Sequence, residues 1–241
     1  MKFEIEKKSL KNILEIVQDV ADECRIEADK EGIRIQMVGG ANVCMLDAKL
    51  SNTSFSSYQC GSECVYGLDV YMLLKKIKKI PRQFGDMVSL DIGEQFTVMR
   101  CGRYAYKIET IDETKMRNKP RIPGLELTNE FIISSTNFAN AIAMMDGKHV
   151  RISEKDEEIT FVSTESKTTN EVVFTDEVTI QQSANSTSLY SIEYLKDMVK
   201  YMKRTTENIK FVFGQNTPCK ISSVNSCFEF TYILAPRIES D

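Results

Sequence analysis

Four segments of the chain repeat one apolar pattern, with hydrophobic residues at positions i, i+3, i+4 and i+7. This spacing places the hydrophobic residues of each segment on one face of an α-helix. The segments begin at Leu10, Val70, Phe138 and Leu195, so the first two recur as the third and fourth after about 125 residues. The pattern therefore predicts a chain built from two similar halves, each with two short helices.

Between the predicted helices, the hydrophobic period changes to two, which is typical of strands with one buried face. The alternating stretches are residues 33–37, 88–92, 104–108, 209–213 and 228–232. Glycine, asparagine and aspartate residues that favour turns separate these stretches. We therefore predict an α+β fold with two pseudo-repeated domains, each an antiparallel sheet with two helices on one face.

A charged segment without periodicity lies between the two halves. Residues 112–128 contain Pro120 and Pro123 and are typical of an interdomain connecting loop. The predicted organisation is an N-terminal domain at 1–111, this connecting loop, and a C-terminal domain at 129–241.

The composition argues against a membrane protein and a secreted protein. The sequence has no run of 18 apolar residues, so we predict no membrane span. Residues 1–6 alternate in charge and are not typical of a signal peptide. The seven cysteines are an odd number without a disulfide framework, which favours a reduced intracellular setting.

One close cysteine pair, Cys60 and Cys64, raises the question of a metal site. Zinc usually takes four N or S ligands, and the chain has one histidine, His149. We therefore predict no metal and no cofactor, and interpret the two cysteines as small buried hydrophobic residues.

An enzyme is the main alternative from another functional class. The sequence lacks the GxxxxGK[ST], HExxH and GxSxG motifs. A histidine-assisted nucleophile would have to use His149, which follows Gly147 in a charged turn. A pair of catalytic carboxylates stays open because the chain has 35 acidic residues. We predict that the chain is not an enzyme.

The charge is unevenly distributed along the chain. The formal net charge is −4 and the pI is about 5.4, which disfavours general nucleic-acid binding. However, residues 73–82 carry five basic residues and no acid, and residues 196–204 carry four basic residues and one acid. A basic stripe on an acidic body is typical of a protein that binds a phosphate backbone with one face.

The chain resembles the sliding clamps of the proliferating cell nuclear antigen family along its whole length. Residues 232–239 are similar to the family's leucine-alanine-proline-basic tail, and residues 67–69 resemble the start of its lysine-rich second helix. Residues 22–24 and 32–37 resemble the first helix and the next strand, and residues 190–195 resemble the start of the fourth helix. The short tail and the length are more similar to archaeal than to eukaryotic members.

The resemblance implies a ring of three subunits, expected here to be a homotrimer, that closes around double-stranded DNA without reading its sequence. Such a clamp confers processivity by tethering DNA polymerase, and also binds the clamp loader, nuclease and ligase through short peptide motifs. It implies no catalysis, no membrane, and a location with the genomic DNA, in the cytoplasm or nucleoid of an archaeon or the nucleus of a eukaryote.

Lysines on the predicted helices are the candidates for DNA contact. Lysine is a mobile point charge that attracts phosphates without a fixed geometry, which suits sliding. The set comprises Lys11, Lys75, Lys78, Lys79, Lys196, Lys200 and Lys203. The third helix has no basic residue, so we expect an uneven positive surface. The alternative is a solvated lysine face that binds nothing.

Two further sites are implied by the resemblance. The partner-peptide pocket would comprise Met37, Val43, Met45, Ile122, Pro123, Leu125, Pro218, Ile233, Ala235 and Pro236. Within it, Met37 and Met45 would form an adaptable floor. The subunit interface would comprise edge-strand residues Tyr104, Tyr106, Ile108, Val172 and Phe174. Ordinary core packing is the alternative for both sets.

Besides a self-sufficient clamp, two alternatives within the same fold stay open. The chain could instead be a subunit of a heterotrimeric or checkpoint-type clamp, or a monomeric polymerase processivity factor. The lysine-rich helices suit all three, and only the ring needs two unpaired strand edges.

Overall fold

A computed structural model describes residues 1–122, 124–224 and 228–238. The chain divides into two compact units: unit 1 is Met1–Arg121 with Cys227–Phe230, and unit 2 is Ile122–Ser226 with Thr231–Asp241. The division between Arg121 and Ile122 falls inside the connecting loop predicted at 112–128. In the described part of that loop, the one regular element is a short 3-10 turn at Glu113–Lys115.

The four predicted helices are confirmed. They are α1 (Lys7–Gln18) and α2 (Val70–Ile77) in unit 1, and α3 (Ser135–Met144) and α4 (Ile192–Met202) in unit 2. Every residue of the four predicted apolar stripes is buried. Side-chain caps fix two of the helix starts, because Asp69 accepts from the Met72 N–H at 2.7 Å and Ser134 from the Thr136 N–H at 3.3 Å.

Unit 1 contains nine strands: β1 (Lys2–Glu6), β2 (Glu23–Asp29), β3 (Gly32–Val38), β4 (Cys44–Ser51), β5 (Ser57–Gln59), β6 (Cys64–Asp69), β7 (Met87–Ile92), β8 (Phe96–Cys101) and β9 (Tyr104–Glu109). They form two antiparallel ladders, in the orders β5-β1-β7-β8-β9 and β4-β3-β2-β6. Side chains from both ladders and both helices share one apolar core.

Eight strands lie wholly in unit 2: β10 (Asn129–Ser134), β11 (His149–Lys155), β12 (Glu158–Glu165), β13 (Thr168–Phe174), β14 (Val178–Gln182), β15 (Thr187–Ser191), β16 (Asn208–Phe213) and β17 (Cys219–Val224). A ninth, β18 (Phe228–Leu234), is counted with them because its residues from Thr231 onward belong to unit 2. Their antiparallel ladders run β14-β10-β16-β17-β18 and β13-β12-β11-β15. Its core is aromatic, with the Phe138 ring centroid 5.6 Å from that of Phe211 and 5.8 Å from that of Phe161.

The strand order confirms the predicted repeat. Adding nine to each strand label of unit 1 reproduces both ladders of unit 2. The five alternating stretches of the sequence are confirmed as parts of β3, β7, β9, β16 and β18. The antiparallel α+β class is confirmed, but each unit has two ladders where the sequence predicted a single sheet. Alternation identifies strands without identifying their partners, which explains this difference.

Within the described ranges, no helix combines the length and the apolar composition that crossing a membrane requires.

Candidate functional site

Two exposed lysines follow the C-terminal end of α2, and one of them pairs with α1. Lys75 lies on the outer face of α2, whereas Lys78 and Lys79 come just after its last residue. The Lys78 Nζ is 3.1 Å from Oε1 of Glu15, a carboxylate whose side chain is 4% exposed. Lys11 Nζ lies 3.8 Å from the same oxygen. Glu15 therefore offsets part of the positive charge at this end of unit 1.

An exposed aromatic residue accompanies the lysines of α2. Tyr71 is 45% exposed, and the Lys75 Nζ lies 5.2 Å from the centroid of its ring. Lys76 Nζ similarly lies 5.3 Å from the ring centroid of Tyr106 on β9. Sequence reasoning missed Tyr71, although its position on the polar face of the helix was a usable signal. The ring gives Lys75 a preferred position over an aromatic face.

The lysines of α4 are also exposed, and one is tied to the backbone. Lys196 donates from Nζ to the Met145 carbonyl oxygen at 2.9 Å, which holds it at the end of α3. Lys200 lies on the helix and Lys203 just after it. Tyr201 lies between two cations, with the Lys200 Nζ 5.0 Å and the Arg204 Cζ 5.4 Å from its ring centroid. Sequence reasoning missed Tyr201, and it counted Arg204 in the basic stripe at 196–204 without including it among the candidate DNA contacts.

The four helices carry different amounts of positive charge. No residue of α3 is basic, and its exposed end carries Met144, which is 62% exposed. Helix α1 carries Lys7, Lys8 and Lys11, but Glu15 lies on the same helix and Asp19 and Asp22 follow it. The net positive charge near the helices therefore lies mainly on α2 with Lys78 and Lys79 in unit 1, and just after α4, at Lys203 and Arg204, in unit 2.

The strand register separates the two methionines that were predicted to share a pocket floor. Met37 on β3 pairs with Leu46, whereas Met45 on β4 pairs with Val38. Cross-strand partners lie on the same face of a sheet and neighbours in sequence lie on opposite faces. Met37 therefore shares a side of the sheet with Ile35 and Leu46, and Met45 shares the other side with Val38.

The structure adds one residue to the unit 1 part of the predicted pocket. Met37 is 7% exposed and Met45 is 6% exposed, whereas Val38 and Val43 are half-buried. Met37 and Val38 both line a surface cleft of unit 1. Sequence reasoning missed Val38.

A cleft of about 560 Å³ lies against β2 and β3 in unit 1, beneath residues 115–120. Its walls include Arg25 on β2 and Gln36, Met37 and Val38 on β3. The chain above it is held by a reciprocal pair of backbone hydrogen bonds between Gly67 and Ile111, of 3.2 and 2.9 Å. A Cβ on Gly67 would lie 2.6 Å from the Ile111 oxygen, so glycine permits this close approach.

The acidic residue that opens this segment also has a structural role. Asp112 accepts hydrogen bonds from the backbone and the hydroxyl of Thr114, at 2.9 and 2.8 Å. These two bonds lower the pKa of Asp112. The carboxylate caps the 3-10 turn at Glu113–Lys115, which sets the direction in which the segment leaves unit 1.

The remaining pocket residues belong to unit 2. Ile122 is 40% exposed, Leu125 is half-buried, and Pro123 lies outside the described residues. Pro218 directly precedes β17, and Ile233 pairs with Lys220 and is 6% exposed. Ala235 and Pro236 follow β18 and are half-buried. The Arg237 N–H donates to the Leu189 oxygen at 2.7 Å, which anchors this tail to unit 2.

Both strands predicted to form subunit contacts lie at ladder edges. β9 is the last strand of one ladder in unit 1, and β13 is the last strand of one ladder in unit 2. Ile108 and Phe174 are buried in their own units, whereas Tyr104, Tyr106 and Val172 are half-buried. The exposed side chains that alternate with these residues are Ala105 and Lys107 on β9, and Glu171 and Val173 on β13.

The close cysteine pair differs from the prediction. Cys60 and Cys64 are partly exposed rather than buried, because they flank the exposed turn at residues 61–63. Among the described residues, no group of three or more His, Cys, Asp or Glu side chains is arranged to hold a metal ion.

Comparisons with known proteins agree along the chain. A sequence model described as "Proliferating cell nuclear antigen, N-terminal domain" matches residues 2–113. The "DNA polymerase sliding clamp" of Methanocorpusculum labreanum is 29% identical over 252 aligned positions, covering 100% of both chains. The protein of the same name from Methanococcoides burtonii is 28% identical over 96% of each chain.

A solved structure also resembles the whole chain. In "C-terminal region of FEN-1 bound to A. fulgidus PCNA", the matching chain superimposes with a TM-score of 0.91 at 26% sequence identity. The match covers 100% of this chain and 99% of that one.

Proposed function

Because this chain belongs to the proliferating cell nuclear antigen family, we propose that it is a sliding clamp that encircles duplex DNA and tethers replication proteins. The observation that carries the proposal is the similarity to a complete clamp chain, with a TM-score of 0.91 over 100% of this chain. The repeated strand order supports it, because two equivalent units per chain suit a ring with near-regular repeats.

The proposed partners include DNA polymerase, from the names of the relatives, and a FEN-1-type nuclease, because the similar A. fulgidus structure contains the C-terminal region of FEN-1. We further propose a clamp loader and a ligase as partners, a non-catalytic role without a cofactor, and a location with the genomic DNA. Processivity then comes from the topological link, so the clamp needs no tight contact with DNA.

The proposed DNA contacts are the seven helix lysines, and their environments give them unequal roles. Among the described residues, no ion pair involves Lys75, Lys79 or Lys203, and all three are exposed. Lys11 and Lys78 share Glu15, as described above. We therefore assign most of the attraction for phosphates to Lys75, Lys79 and Lys203.

The other two lysines of α4 are proposed to add to this attraction from defined positions. Lys196 donates to a backbone oxygen, and Lys200 lies beside the ring of Tyr201. All of these contacts with phosphates would be screened by salt. Screened contacts are weak and salt-sensitive, which permits sliding.

Partner peptides are proposed to use apolar side chains that each unit presents by itself. In unit 1 these are Met37, Val43 and Met45, with Val38 added because it lines the same cleft as Met37. In unit 2 they are Ile122, Leu125, Pro218, Ile233, Ala235 and Pro236, and Pro123 is retained from the sequence prediction. Met37, Met45 and Ile233 are buried and would form the floor beneath the more exposed members. Apolar side chains rimmed by polar ones are typical of a protein–protein contact.

Ring closure is proposed to pair β9 of one subunit with β13 of the next. These are different strands, so the contact is head-to-tail and closes a ring when the rotation permits. A homotrimer is the form we propose, and a heterotrimer is the alternative. Ala105, Lys107, Glu171 and Val173 are then the exposed side chains nearest to the contact.

The test combines mass with topology. Light scattering of the purified chain should give three times 27.5 kDa at micromolar concentration. A clamp loader should place the protein on nicked circular DNA, and cutting the circle at one site should release it. Equal retention on circular and linear DNA would contradict encirclement. A persistent monomer mass would contradict the homotrimer and favour a heterotrimer or a monomeric processivity factor.

A further inference from the structure

The loop between β5 and β6 brings two thiols into contact. The Cys60 Sγ lies 3.6 Å from the Cys64 Sγ. Both side chains are partly exposed, whereas the other four described cysteines are buried, at 5% exposure or less. These four are Cys24, Cys44, Cys101 and Cys219. Among the described residues, the pair is therefore the thiol site that a dissolved reagent can reach.

The two sulfurs have hydrogen-bonding neighbours, which include the hydroxyl of Tyr58 beside Cys60 and that of Tyr66 beside Cys64. Cys60 Sγ contacts the Ser62 oxygen at 3.1 Å, and Cys64 Sγ contacts the Ala28 oxygen at 3.7 Å. Thiols are weak hydrogen-bond donors, so these contacts are easily exchanged. A disulfide has a sulfur–sulfur distance of about 2.05 Å, so the sulfurs must approach by roughly 1.5 Å. Gly61 between them has open space around it, which leaves the loop room to adjust.

We propose that Cys60 and Cys64 are a redox modification site, which forms a reversible intrachain disulfide with a small-molecule disulfide such as oxidised glutathione. This proposal is independent of the proposed clamp function, because it rests on the loop geometry of unit 1.

The reaction is a thiol–disulfide exchange in two steps. The Cys60 thiolate attacks one sulfur of oxidised glutathione, which forms a mixed disulfide and releases one glutathione thiolate. The Cys64 thiolate then attacks the Cys60 sulfur and releases the second glutathione. The protein loses two protons and two electrons, and one oxidised glutathione becomes two reduced molecules. We assign the first attack to Cys60 because its contact with the Ser62 oxygen is exposed, whereas the contact of Cys64 with the Ala28 oxygen is partly buried. The reverse order gives the same disulfide.

The cross-link would join two ladders of unit 1. β5 is the end strand of the ladder β5-β1-β7-β8-β9, and β6 is the end strand of the ladder β4-β3-β2-β6. A disulfide between the adjoining ends of β5 and β6 restricts the unfolded chain. The resulting gain in stability is modest because the closed loop is short. We expect the oxidised protein to unfold a few degrees higher than the reduced protein.

The test incubates the folded full-length protein with oxidised glutathione, blocks free thiols with iodoacetamide under denaturing conditions, and digests it with trypsin. Residues 50–75 form one tryptic peptide that contains Cys60 and Cys64 and no other cysteine. We expect this peptide to be unalkylated and two mass units lighter than its reduced form. Dithiothreitol should restore two alkylation sites.

Single variants separate this chemistry from general thiol oxidation. Cys60→Ser and Cys64→Ser should each leave one thiol that carries glutathione, without a cross-link and without the rise in unfolding temperature. Cys101→Ser is the matched control and should still form the cross-link. Alkylation of both residues after oxidation, or disulfide-linked dimers on a non-reducing gel, would overturn the proposal.

Discussion

The Glu15 carboxylate on α1 lies 3.1 Å from the Lys78 ammonium group beyond the end of α2, and its side chain is 4% exposed. A carboxylate in this position reduces the local attraction for phosphates. It also joins the ends of two helices that otherwise meet through apolar side chains. The ion pair therefore affects both the packing of α1 against α2 and the positive charge on the surface of unit 1.

Glu15→Gln should strengthen DNA binding. The amide keeps the shape of the side chain but removes the negative charge that faces Lys78 and Lys11. The plot of log affinity against log salt should become steeper by up to about 0.9 for each lysine that then neutralises a phosphate. Fluorescence anisotropy with a labelled duplex at several salt concentrations measures this slope. The matched control is Glu157→Gln, an exposed acid in unit 2, and an unchanged slope in Glu15→Gln would contradict the assignment.

Replacing Lys75, Lys79 and Lys203 together by alanine should have the opposite effect. The salt slope of this variant should fall by up to about 0.9 per lysine that contacts a phosphate, and its thermal unfolding should change little because all three are exposed. The matched control removes the same charge at three other exposed lysines, Lys49, Lys155 and Lys167. Equal losses in both variants would indicate a general charge effect rather than a defined surface.

Met37→Ala and Val38→Ala should both weaken a partner peptide but differ in their effect on stability. Met37 is 7% exposed, so its truncation should cost about 2–5 kcal/mol of stability, and Val38→Ala should cost less. Both side chains line the cleft beneath residues 115–120, so each folded variant should bind a peptide from the C-terminal region of FEN-1 several-fold more weakly. Urea unfolding and peptide anisotropy measure the two effects. Unchanged affinity in both variants would contradict a peptide site in this cleft.

The two periodicities explain which features the sequence predicts. Stripes such as Leu10 to Val17 identify the helices because burial follows the helical period, and alternation identifies strands such as β3. The same alternation places Met37 on the face of β3 that carries Ile33 and Ile35, and Met37 also lines the cleft beneath residues 115–120. Local structure and facing direction are thus readable from the chain itself.

Relationships between distant segments were not readable. The contact of Glu15 with Lys78 depends on how α1 packs against α2, and the two ladders per unit depend on strand pairing. The partial exposure of Cys60 and Cys64 depends on a turn that alternation does not describe. Tertiary packing decides these features, and a single sequence carries no pairing information for them.

A charge reversal tests the proposed ring contact. Lys107 is exposed on β9 and Glu171 is exposed on β13, so the two proposed edges carry opposite charges. Lys107→Glu alone and Glu171→Lys alone should each weaken the trimer at least about tenfold, because like charges then face each other. The double variant should recover most of the loss. Light scattering over a concentration series measures assembly, and Lys107→Ala controls for the contact between Lys107 and Phe96.

Alkaline pH should destabilise the reduced protein through two buried thiols. Burial raises the pKa of Cys24 and of Cys44 from the ordinary 9.0 to about 12. Above pH 9, the unfolded chain releases protons that the folded chain keeps, so the free energy of unfolding falls as pH rises. The decrease in the free energy of unfolding approaches about 1.4 kcal/mol per pH unit for each thiol. Well below pH 9, both thiols are protonated in the folded and the unfolded chain, and this decrease is absent. Urea unfolding between pH 8 and 10 with reductant measures it. Cys24→Ala removes one of the two thiols, so it should remove about half of their combined contribution to the slope. An identical slope in that variant would show that Cys24 does not titrate in this way.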